Sequence, residues 1–165
     1  SGAMWSFYFI IGLKAGFSVG DVHNIIVAAV ATAIIGTGLS TFLGARLGRF
    51  APVIWGIAAM TTAIVALLST SNQIVFLLAA CVNVASIYFM LPYFYGYAAA
   101  DDPSGRASAM VGGAFLMTGA VGPYAGGIFQ QYLSNGNIIL LVIAMNITSV
   151  GFIILVERTR QTKGR

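Results

Sequence analysis

The side chains able to do chemistry are few, and their placing excludes most reactions. The 165-residue chain has one histidine, His23, one cysteine, Cys81, and four acids, Asp21, Asp101, Asp102 and Glu157. None of the acids, nor His23, lies inside the long apolar stretches that make up most of the sequence. General acid–base catalysis needs a titratable group poised beside the reacting atoms, and a nucleophile needs a base beside it. No such pair and no metal-ligating cluster can be assembled from this set within those stretches. Cys81 sits among apolar neighbours and reads as a packing residue, since a disulfide needs a second cysteine. A phosphate loop of the G-x-x-x-x-G-K-[ST] type is missing as well. The expectation is a chain that is not an enzyme and uses no cofactor and no metal.

What these residues can offer is hydrogen bonding and aromatic surface. Asn83, Ser86, Met90, Tyr93 and Tyr97 stand at offsets 0, 3, 7, 10 and 14, which places them on one helical arc. An amide and a hydroxyl facing lipid are costly, so this arc is expected to point inward and line a solute cavity. Bonding between helices for Asn83 and Ser86, and an interfacial aromatic belt for Tyr93, Tyr95 and Tyr97, is the competing reading. Met117, Tyr124 and Gln131 recur every seven residues and form a second candidate cavity arc. On the same segment Gly112, Gly119, Gly122 and Gly126 fall within about 80° of one another, a stripe that admits a neighbouring helix. Pro123 frees the carbonyl of Gly119 and permits a bend. The stripe reads either as a fixed packing seam or as a flexing one.

Composition sets the solvent in which these arcs must work. Hydrophobic residues make up 59% of the chain, charged residues 7%, and the mean hydropathy is +0.93. A soluble domain carries roughly 25% charged residues, so a water-facing surface cannot be covered. Five stretches, 24–43, 50–68, 74–99, 107–133 and 138–156, have no Asp, Glu, Lys or Arg. Each is long enough to cross a hydrocarbon core of about 30 Å as a helix. The segment 4–13 is apolar but half that length, and reads as the last half of a helix. Residues 1–4 are set aside as a cloning remnant, 5–157 form a transmembrane helical half-domain, and 158–165 form a basic tail. The fold class expected is all-α and polytopic, with about five full spans plus a partial one.

Turns punctuate these spans. Asp21 or Ser18 is expected to cap the second helix and Ser104 the fifth, with polar uncharged turns at 69–73 and 134–137. Pro92 is expected to kink the fourth. The net charge of +4 is a topology signal and no nucleic-acid footprint. Arg46, Arg49, Arg106, Arg158, Arg160, Lys163 and Arg165 share one side of the membrane, with Lys14 alone opposite, so the first set and the C-terminus are expected in the cytoplasm.

The loop Leu43-Gly44-Ala45-Arg46-Leu47-Gly48-Arg49 resembles the cytoplasmic loop signature of the major facilitator superfamily, G-x-L-a-D-R-x-G-R-R. Leu43, Arg46, Gly48 and Arg49 match; Thr41, Ala45 and Phe50 depart from it. Gly122-Pro123-Tyr124-Ala125-Gly126-Gly127 is similar to the G-P-x-x-G-G core found in drug–proton antiporters of that superfamily. The missing loop acid, a fourth segment without arginine and the short tail point to the C-terminal six-helix half, truncated at its first helix. The resemblance implies a secondary transporter moving a small organic solute, lipophilic or drug-like, by alternating access. Arg46, Gly48 and Arg49 would then form a conformational latch, as against simple positive-inside anchoring. Gly119, Gly122, Pro123, Gly126 and Gly127 would form the helix-packing motif. It also implies that the third and sixth segments lie outside the cavity, which makes Thr61, Thr62 and Asn146 structural. Implied partners are the bilayer, the N-terminal half of the same transporter, a small-molecule substrate and a coupled proton whose carrier lies elsewhere. The implied location is a bacterial inner membrane. The alternative is a small membrane scaffold or assembly subunit with no transport cycle.

Overall fold

The computed structural model describes residues 2–44, 46, 48–102 and 104–163; the side chains at 2–7, 101, 123, 125, 126, 129, 130, 135, 136, 156 and 159–163 fall outside that description. The described residues form six helices and no strand: α1 (Gly2–Lys14), α2 (Val19–Leu43), α3 (Phe50–Ser69), α4 (Gln73–Asp101), α5 (Arg106–Tyr132) and α6 (Asn135–Lys163). Among them α2, α3, α4 and α6 are long and apolar enough to cross a membrane. The fifth expected span is present as α5, a helix of 27 residues, but six glycines and two glutamines dilute its apolar character, and it is not among those four. Segment 4–13 falls in α1, which has 13 residues. Asn135, Gly136 and Asn137, expected in a turn, open α6 instead, and the basic tail continues that helix to Lys163.

The helix starts show why the chain turns where it does. Ser18 accepts from the Asp21 N–H at 3.1 Å while the Asp21 carboxylate accepts from the Ser18 N–H at 3.2 Å, a capping box that serves two otherwise unpaired donors of α2. Asn72 does the same work for α4, accepting from Ile74 and Val75. At α5 the cap is not Ser104. The Asp102 carboxylate accepts from the Ala107 N–H at 3.1 Å, and Ser104 donates its hydroxyl to the same acid. These bonds, the Ser104 hydroxyl first among them, hold the Asp102 carboxyl below the usual carboxylate range.

Helix α4 is the central post. It packs along α2 on one side and α3 on another and touches α5; α1 lies against α5 and α2, and α6 lies mainly against α3. At the α2–α4 crossing the backbones meet directly. A Cβ on Gly36 would collide with the Ala85 carbonyl, and one on Gly56 of α3 would collide with the Met90 side chain. Ala29, Gly36 and Ser40 are the buried small residues of α2 that allow this approach. Two interior clusters result. One gathers Tyr8, Ile25, Ala29, Leu67, Phe76 and Val84, and the other Val53, Ile57, Met90 and Tyr93. Helix α4 runs through Pro92 unbroken.

Most of the apolar surface stays outside these clusters. Only 22% of the most apolar 18-residue stretch of α2 is buried, and 6% of that of α6. Ile34, Phe42, Leu116, Leu140 and Phe152 are each more than half exposed. A soluble monomer does not leave apolar patches on this scale uncovered, whereas lipid or a partner helix would cover them.

Two outcomes are expected. Replacing Gly36 with alanine should cost about 1–3 kcal/mol from overpacking, read as a lower melting temperature, while the same change at Gly38, where a Cβ meets open space, should leave it unchanged. Protection of the first α5 amides from hydrogen exchange should be constant above the ordinary carboxyl range near pH 4 and decline as pH falls through the lower value of Asp102. In Asp102→Asn that acid step should vanish.

Candidate functional site

The polar residues nearest the middle of α4 are spent on packing. Tyr8 of α1 donates its hydroxyl to Asn83 Oδ1 at 2.8 Å, and Asn83 donates through Nδ2 to the Met60 carbonyl of α3 at 3.5 Å. One amide therefore ties three helices. Ser86 donates back to the Val82 carbonyl of its own helix. Asn83, Ser86, Met90 and Tyr93 are all buried. Of the four, Ser86 borders a cleft of about 310 Å³ between α2, α3 and α4, and Met90 one of about 630 Å³ between α3, α4, α5 and α6. The Asn83 side chain therefore answers to helix packing: in apolar surroundings a polar group that can reach a neighbour bonds it. The Tyr93 hydroxyl is buried and makes no hydrogen bond among the described residues, and its ring lies 5.5 Å from that of Phe89.

The second arc is differently placed. Met117, Tyr124 and Gln131 are exposed on α5, with Met117 68% and Tyr124 74% accessible. On the other side of the same helix Gly112, Gly119 and Gly122 are half-buried. A Cβ on Gly112 would come within 3.1 Å of the Tyr95 hydroxyl, while one on Gly127 would meet nothing. Pro123 and Gly126 lie among the positions whose side chains are outside the described set. Thr61 and Asn146 hold α3 to α6 through a 2.7 Å hydrogen bond, and Thr62 bonds its own helix.

The loop motif is built as a tight reversal. Gly44 and Gly48 take φ values of +50° and +68°, where a Cβ is strained. Arg46 is exposed, with its guanidinium carbon 6.0 Å from the centre of the Phe42 ring. The Arg49 side chain lies across Gly96 of α4, where a Cβ would stand 3.3 Å from its Nε. The loop is thus fastened to α4 by packing of an arginine on a glycine. Ala45, the position of the family's acid, lies outside the described residues.

A groove of about 700 Å³ between α2 and α4 gathers hydroxyl and aromatic groups on one open face. It is lined by Ile34, Thr37, Gly38, Thr41 and Phe42 and closed on the α4 side by Tyr88. Thr37 and Thr41 donate to the carbonyls of Ala33 and Thr37 at 2.9 Å, so their oxygens keep lone pairs for a solute. The Tyr88 ring packs edge-on against Phe115 of α5, with centroids 6.4 Å apart, which sets it at the meeting point of α2, α4 and α5. Its hydroxyl makes no hydrogen bond among the described residues. The α3–α6 cleft is lined by Asn146, tied to Thr61, and by Thr148 and Ser149, which bond their own helix as Thr37 and Thr41 do; it has no tyrosine hydroxyl in its lining.

Sequence reasoning missed Thr37, Thr41 and Tyr88. The available signal was the register Cys81, Tyr88, Tyr95, which recurs every seven residues on the side of α4 opposite the Asn83 arc. On α2 the pair Thr37 and Thr41 is four apart on one outward face. Comparison with family models, with curated proteins and with solved structures finds no match for the chain.

The Asn83 junction makes a direct prediction. Tyr8→Phe leaves the buried amide short of its donor and should destabilise the chain by about 1–3 kcal/mol. Tyr88→Phe, on the open groove, should not change the melting temperature.

Proposed function

We propose that this chain is one six-helix lobe of a secondary transporter of the major facilitator type, moving a small organic solute by alternating access. The observation that carries the reading is the helix pairing. Helix α1 packs on α5, α2 on α4 and α3 on α6. Exchanging α1, α2 and α3 with α4, α5 and α6 reproduces these three pairs, while the packing of α3 on α4 has no α6-on-α1 counterpart; successive helices joined by short turns make the two triplets opposite in direction. Nested three-plus-three inverted repeats of this kind build each half of such transporters. The resemblance of the Arg46, Gly48, Arg49 loop and of the 122–127 motif supports the same assignment.

On this reading five segments span the bilayer and α1 is a partial span. Arg46, Arg49, Arg106 and the basic end of α6 lie at the cytoplasmic face of a bacterial inner membrane. The lobe meets the N-terminal half of the same transporter across α2 and α5, the helices flanking Tyr88. Their exposed faces, Thr37 and Thr41 on one and Met117, Tyr124 and Gln131 on the other, then border the solute path, and α3 and α6 face lipid. The Gly112, Gly119 and Gly122 side of α5 acts as its bearing surface. Proton coupling, if the transporter uses it, draws on carboxylates outside this lobe, whose described spans place none beside the groove.

Accessibility tests this. In cells expressing the assembled protein in a Cys81→Ser background, Thr37→Cys should react with a charged, membrane-impermeant maleimide much faster than Leu140→Cys on α6. Equal rates at the two positions would remove the water-filled path on which the transport reading stands.

A further inference from the structure

We infer that the α2–α4 groove takes a single-chain amphipathic acid, with its anionic head on Arg46 and its apolar body along Ile34, Phe42 and Tyr88. This deepens the transport reading and rests on it. Three observations carry it. First, the groove walls offer apolar and aromatic surface with no charge between Ile34 and Phe42. Second, a cation stands beside the Phe42 end of the groove: the Arg46 guanidinium carbon is 6.0 Å from the centre of that ring, and Arg46 is exposed and bonded by no acid among the described residues. An arginine stays protonated at any physiological pH and presents a fork that fits a carboxylate. An apolar trough ending in an unpaired guanidinium is complementary to an acid with a tail and repels an organic cation. Third, the open groove's volume of about 700 Å³ is of the order of small-molecule sites, roughly 300–1,000 Å³, and gives room for one acyl chain along its length. Thr37 and Thr41 have already given their hydroxyl protons to the helix, so the groove wall adds no donor competing with Arg46 for the head, apart from the Tyr88 hydroxyl.

The probe is dodecanoic acid carrying a terminal diazirine, added to the full chain in zwitterionic lipid nanodiscs and located by mass spectrometry after irradiation. Adducts should saturate and concentrate on residues 34–42 and Tyr88, and excess dodecanoate should suppress them where dodecanol does not. Arg46→Gln should weaken that protection about tenfold, as loss of a charge-assisted bond does, and Arg106→Gln at the same end of the molecule should not. Gly38→Leu fills open space in the groove and should abolish labelling while the melting temperature stays that of the parent chain. Adducts spread evenly over the exposed faces of α6, or protection by dodecanol equal to that by dodecanoate, would overturn the proposal. So would protection by phosphatidylglycerol matching that by dodecanoate, which would give the groove to membrane lipid. Because binding is read on the chain itself, a failure here leaves the maleimide result, and the transport reading with it, standing independently.

Discussion

The close contact of Gly36 with the backbone of Ala85 governs how everything else is arranged. Where the medium around helices is as apolar as their side chains, burying leucine gains nothing, and helices are held by fitted surfaces and by hydrogen bonds they cannot make elsewhere. At the α2–α4 crossing small residues remove the side-chain layer between the two backbones. The Thr32 hydroxyl then lies between the Ala29 carbonyl of its own helix at 2.6 Å and the Cys81 carbonyl across the crossing at 2.9 Å, a sharing that exists only because the axes are so near. With α2 fixed this closely, α4 can present its opposite side to α3, where Gly56 admits Met90, and its remaining side to α5.

Much of this architecture was legible in the sequence. Uninterrupted apolar runs located α2, α3 and α4 and the turns between them, because in those segments a charge or a turn cluster marks each end. The start of α2 was legible for the same reason, Ser18 and Asp21 being a pair whose spacing closes a capping box. The α5–α6 connection was not, since Asn135, Gly136 and Asn137 are turn-forming residues that here begin a helix. Their intrinsic preference is weak, and a helix start satisfies them as well as a turn does. Ser104 was read as a cap by type, but Asp102 has the longer reach and the stronger acceptor.

The functional face was harder to read than the fold, and the reason is physical. A polar residue in an apolar helix advertises only that it needs a partner. It does not say whether that partner is a solute or another helix. Asn83 found Tyr8 and the Met60 carbonyl and became an internal joint, while Ser86 and Met90 of the same arc border clefts. The groove is lined instead by threonines that had satisfied themselves locally and by an aromatic ring, residues that generate little periodic signal. The glycines of the fifth segment were noticed because they are many. The single Gly36 that sets the tightest approach was passed over because it is one among alanines and isoleucines.

The lopsided attachment of α6 has a bearing on how the molecule is made. Its links to the rest are the Asn146–Thr61 bond, Val150 and Ile153 beside the Met90 cluster, Ile138 in the Tyr8 cluster at one end and the Tyr97–Glu157 bond to α4 at the other, and only 6% of its most apolar stretch is enclosed. Helix α1, by contrast, waits for α5, its principal neighbour. A ribosome delivering this chain from its amino end would therefore complete the closed part of the bundle when the fifth helix arrives. The sixth would then dock sideways, enclosed among its described residues only near Ile138, as an outrigger rather than a keystone.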